Sequence, residues 1–113
     1  MERKKQLILL VLKLLEANSD ENHPLTQIAI TKMISDVYPC DRKTVGRNIK
    51  FLIEIGYPIV KTTKGFYMKN KVFSVDEIVF VKEAIMASKD MDIGKRQELA
   101  NQVVECISKR YSQ

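Results

Sequence analysis

A chain of 113 residues is long enough for one self-sufficient core, and 45% hydrophobic with 29% charged residues is the balance of a folded globular domain, which excludes a disordered chain. The formal charge of +5 is unevenly spread: residues 1–71 hold 13 Lys and Arg against 7 Asp and Glu, a net +6, while residues 72–113 hold 6 against 7, a net −1. Positive potential concentrated in the first segment points that segment toward a polyanion, the plain alternative being a generic basic surface.

In chain order, residues 2–18 contain no Gly or Pro and form the first predicted helix. Its apolar residues at 7–12, 14 and 15 wrap more than one face, so it calls for cover on two sides, from the following helices and from those at the C-terminus. The apolar run at 7–12 is broken by Lys13; it is too short to span a bilayer and lacks a small-residue cleavage site. A cytoplasmic protein is expected. Arg3, Lys4 and Lys5 oppose the helix dipole, leaving phosphate contact or a solvated terminus as their roles. The polar residues 18–24 connect to a second helix capped by Thr26, with Leu25 and Ile30 spaced as a hydrophobic staple and Ile30, Met33, Ile34 and Val37 as its buried stripe. His23, the single histidine, has no partner at metal-ligand spacing and reads as a solvent-facing loop residue.

Tyr38-Pro39 stops the second helix and leaves a short turn before Asp41, the pattern of a helix-turn-helix. Asp41 is a natural N-cap for the third helix, Cys40 and Val45 are spaced as a staple, and Gly56 supplies its left-handed terminus. At about 100° per residue, Val45, Ile49, Leu52 and Ile53 share a packing stripe, and Lys43, Thr44, Arg47 and Lys50 fall opposite. Ile59-Val60-Lys61-Thr62 and Phe66-Tyr67-Met68, separated by Lys64-Gly65, read as a β-hairpin wing carrying Lys61, Lys64, Lys69 and Lys71. Phe51, off the packing stripe, is expected to shield the third helix against this wing. Lysines on an exposed edge also discourage aggregation, so phosphate contact and edge protection both remain open for them.

Ser74 and Glu77 form a capping box that launches a fourth helix through about Lys89. Residues 90–94 connect it to a fifth, over 95–111. This hairpin is apolar on more than one side, so self-association through Ile78, Val81, Ile85, Val103 and Ile107 is expected, with packing against the first helix as the alternative. The fold class is therefore mainly α with a small β-hairpin: a winged helix-turn-helix over residues 1–71, then a helical hairpin over 72–113. Cys40 and Cys106 match no metal or redox spacing and read as reduced apolar fillers.

Asp41-Arg42-Lys43-Thr44-Val45, followed by Arg47, Ile49, Leu52 and Gly56-Tyr57-Pro58-Ile59, resembles the helix-turn-helix of WYL-type (DeoR-like) bacterial transcription regulators. His23-Pro24-Leu25-Thr26 upstream, and Phe73-Ser74, residues 84–88 and Arg96-Gln97-Glu98-Leu99 downstream, extend the likeness over nearly the whole chain. Two positions depart from that pattern, Gly46 where a larger residue is usual and Asn48 in place of Asp. The resemblance implies duplex DNA as partner and a role in transcription regulation. Regulators of this type usually continue into a WYL ligand-sensing domain, and residues 72–113 do not contain that segment.

The residues themselves offer no Ser-His-Asp or Cys-His arrangement, phosphate-cradling loop or clustered metal ligands, so no enzyme, cofactor or metal is expected. A basic helix face followed by a basic hairpin is equipment for double-stranded DNA. Arg47 and Lys43 are the candidates for base edges or phosphates, Thr44 for a phosphate near the cap, Lys50 for the same exposed face, Arg42 for a phosphate clamp or an acidic partner, and Asn48 for adenine or a structural position. Lys61 and Lys64 are the candidates on the wing. Two other functions fit the same features: a winged-helix module whose basic face meets an acidic protein, and an architectural DNA-binding accessory factor.

Overall fold

The computed structural model describes residues 2–112, with side chains from residue 6 onward, so Arg3, Lys4 and Lys5 lie outside the described side chains. It is mainly helical, with α1 Glu2–Asn18, α2 Gln27–Ser35, α3 Arg42–Glu54, β1 Ile59–Thr62, β2 Gly65–Met68, α4 Val75–Ala87 and α5 Ile93–Ser108. The described residues divide into two units between Lys69 and Asn70, where sequence placed the boundary after residue 71. No described helix is long and apolar enough to cross a membrane.

In the first unit α1 packs against α2, α3 and β2, and α3 also against α2 and β1. Leu7, Val11 and Leu15 of α1 meet a core completed by Ile30 and Ile34, by Val45, Ile49 and Leu52, and by Ile59 and Met68 of the hairpin. The buried stripe of α2 is shorter than expected. Met33 is exposed and Val37, 79% exposed, lies beyond the last helical residue, because α2 ends at Ser35 before Tyr38-Pro39 is reached. Thr26 caps α2 by accepting from the Ala29 amide at 3.0 Å.

β1 and β2 pair antiparallel, Ile59 opposite Met68 and Thr62 opposite Gly65, across the two-residue turn Thr63-Lys64. A third segment joins them. The Leu25 amide donates to the Phe66 carbonyl at 2.8 Å and the Phe66 amide returns to Leu25 at 2.7 Å. This brings the backbone of Leu25 and Thr26 so close to Gly65 that a Cβ there would stand 2.5 Å from the Leu25 carbonyl carbon, and Gly65 also has φ +130°. At the other end of the hairpin, Ser19 is fully buried; its hydroxyl donates to the Leu15 carbonyl at 2.6 Å and accepts from the Met68 amide at 2.9 Å. The polar connector is thus a structural joint as well as a loop. His23 is correspondingly not a free loop residue, since its Nδ1 lies 2.8 Å from the Asp20 carboxylate three residues before it.

In the second unit α4 packs on α5. The Ser74–Glu77 capping box forms in full. The α4 helix stops at Ala87, short of Lys89, and α5 starts at Ile93 because the Asp92 carboxylate accepts from the Lys95 amide at 2.9 Å and caps it. Its end is also earlier than expected: Tyr111 leaves the helix to bridge to Lys71, whose ammonium sits 5.6 Å from the Tyr111 ring centre. Lys71 is therefore part of this unit, not a wing lysine. The Arg96 Nη1 donates to the Met86 carbonyl in the last turn of α4 at 2.6 Å, placing a cation at the negative end of that helix.

Of the five residues expected to pair two copies, Ile78 alone is buried inside the chain. Ile78 is 4% exposed, and Val81, Ile85, Val103 and Ile107 are half-buried. What α4 leaves outward is Val79 and Phe80, the latter 72% exposed. The cysteines are both free; Cys40 is half-buried, but Cys106 is exposed on α5 and fills no core position.

Candidate nucleic-acid interface

The geometry begins at the turn. The Ser35 hydroxyl donates to the Cys40 carbonyl at 3.3 Å, tying the end of α2 to the residue before the Asp41 cap. The Asp41 carboxylate accepts from the Thr44 amide at 2.7 Å. That bond, helped by the Thr44 hydroxyl and by the positive charge of Arg47, holds the Asp41 carboxyl below its ordinary 3.8. At the far end the Gly56 amide donates to Ile53 and the Tyr57 amide to Leu52, a Schellman closure with Gly56 at φ +111°. Both ends of α3 are therefore fixed by residues next to them in sequence.

Between these caps, Val45, Ile49 and Leu52 are buried while Arg42, Lys43, Arg47 and Lys50 are exposed. Gly46 lies where α2 crosses α3. A Cβ at Gly46 would collide with the Gln27 side-chain amide, which donates to the Arg42 carbonyl at 2.8 Å. The missing side chain thus has a packing cause, and mid-helix Gly was the sequence signal that could have revealed it. Gln27 itself, the first residue of α2, carries no such signal.

A groove of about 610 Å³ runs between α3 and the hairpin. Lys43, Arg47 and Lys50 of α3 and Lys61 of β1 all line it, so four of the sequence candidates converge. The others are placed elsewhere. Arg42 is exposed beside Thr26, Gln27 and Ile28 at the start of α2. Thr44 is half-buried, and its carbonyl accepts from the Asn48 amide at 2.8 Å, which commits one Asn48 donor to the helix itself. Lys64 is exposed in the wing turn, outside the groove, where its backbone amide donates to the Thr62 hydroxyl at 3.1 Å.

Two apolar assignments change. Ile53, expected on the packing stripe, is 39% exposed and opens into the groove. Phe51 is 49% exposed and is not among the groove residues; Ile53 and Phe66 occupy the space between helix and wing instead. The helical angle explains the exchange, because Ile53 sits near the edge of the buried stripe on the side of Gly46 and Lys50, while Phe51 projects on the side of Thr44.

Among the described residues, no group of three His, Cys, Asp or Glu is placed to hold a metal ion. Comparison of the chain with protein-family models, with characterised proteins and with solved structures gave no match.

Proposed function

We propose that the chain binds double-stranded DNA as a sequence-specific transcription regulator of the WYL-type, DeoR-like kind, acting in the cytoplasm. The observation that carries this reading is the convergence of Lys43, Arg47 and Lys50 from α3 with Lys61 from β1 over a helix whose other side is locked into the core. An α-helix about 10–12 Å across matches the width of the major groove of B-DNA, about 12 Å. With α3 in that groove, Arg47 and Lys43 reach base edges, and Arg42, at the helix start, meets backbone phosphate. Lys61 and Lys64 on the wing contact the adjacent phosphates, which set register and carry no base information.

A single α3 reads few base pairs, so specific binding calls for two copies. The α4–α5 hairpin, in the segment of near-neutral charge, offers the half-buried Val81, Ile85, Val103 and Ile107 and the exposed Val79 and Phe80 for pairing. Selection of bound duplexes from a random pool tests the proposal. We expect a two-fold symmetric consensus with half-sites about one helical turn, 34–36 Å, apart. A pool with no enrichment would remove sequence-specific recognition, and enrichment of a single asymmetric site would remove the pairing.

A further inference from the structure

We propose that the groove between α3 and the wing is a binding site for a small amphipathic anion, a carboxylate carried on an apolar aromatic body. The groove has two chemically distinct parts. Its floor is largely apolar: the exposed Ile53 and the half-buried Phe66 flank the buried Ile49, while the Gln27 side chain covers Gly46. Its rim is cationic, with Lys43, Arg47, Lys50 and Lys61 against the single carboxylate of Glu54. The volume, about 610 Å³, falls within the range of roughly 300–1,000 Å³ found for small-molecule sites.

A phosphate backbone laid over this surface neutralises the rim and leaves the floor unused. A neutral apolar molecule covers the floor and forces the cations closer to a low-dielectric body with nothing to balance them. An anion with an aromatic body satisfies both: the ring removes Ile53 and Phe66 from water, and the carboxylate accepts charge-assisted hydrogen bonds from the rim. Lysine ammonium groups on long stems adjust to the position of the head group, so selectivity resides in the shape of the floor. The ligand also takes Lys43, Arg47 and Lys50 away from a duplex, so it displaces DNA; that displacement alone rests on the DNA-binding reading.

The test is a titration of the full chain with naphthoate, without DNA, followed by NMR shifts at the Ile53 methyl and Phe66 ring. We expect saturable shifts at both, at least tenfold weaker binding for Ile53→Asp and for Lys61→Glu, and at least tenfold weaker binding of the neutral naphthalenemethanol. Both substituted side chains are exposed, and the fold of each variant is checked by the same spectra. Shifts centred on Phe80, no saturation, or affinities unchanged in the folded variants would overturn the site. A parallel arm adds naphthoate to a protein–duplex mixture. Duplex binding without naphthoate binding removes the site and leaves the DNA reading, whereas naphthoate binding in a chain that holds no duplex removes the DNA reading and leaves the site.

Discussion

Gly46 costs α3 about 1 kcal/mol of helix propensity relative to Ala, and in exchange the Gln27 amide rests against the helix and reaches the Arg42 carbonyl. The two effects can be separated. Gly46→Ala gains the propensity and evicts the amide, whose hydrogen bond is worth about 0.5–1.5 kcal/mol, so the single variant is close to neutral in urea denaturation. In a Gln27→Ala background the same substitution gains about 1 kcal/mol, and the difference is the coupling. Ser19 is a second case of a single residue with two partners. Ser19→Ala leaves the buried Met68 amide without an acceptor and lowers stability by about 1–3 kcal/mol in the same measurement; a loss below about 0.5 kcal/mol would show that the hairpin does not depend on this joint. Neither residue announces its role in sequence, since Gln27 and Ser19 act on partners 15 and 49 positions away.

The element ends were legible because their chemistry is local. Thr26, Asp41, Ser74 and Gly56 each act on amides or carbonyls within a few residues, and all four do so as the spacing requires. Asp41 gives this a pH dependence. Its folded value lies below the ordinary 3.8, so its contribution is present above 3.8 and is lost as pH falls through the lower folded value. We expect the stability margin of the wild type over Asp41→Asn, measured by denaturation at neutral pH, to vanish well below pH 3.8; a margin that grows in acid would reverse the sign. Elements misjudged from sequence failed for a non-local reason or for a competing cap. The α5 helix begins early because Asp92, placed in the connector, caps it, and ends early because Tyr111 meets Lys71. The bridge from Leu25 to Phe66 was invisible, although the close approach at Gly65 depends on it.

For the whole molecule, charge and fold divide at nearly the same place. The +6 of residues 1–71 falls almost wholly in the first unit, and within it the cations of α3 and β1 converge on one groove. Periodicity predicted the cationic side of α3 but could not tell which flank meets the wing, and that is why Ile53 and Phe51 exchange roles. Whether this surface holds a duplex is decided by fluorescence anisotropy of a labelled duplex over a salt series. The wild type should lose affinity steeply with salt, Arg47→Ala should bind about 1–3 kcal/mol more weakly, and Lys64→Ala should weaken binding evenly across sequences while lowering the log–log salt slope by about 1. Affinity that ignores salt and both substitutions would mean that the duplex is not held there.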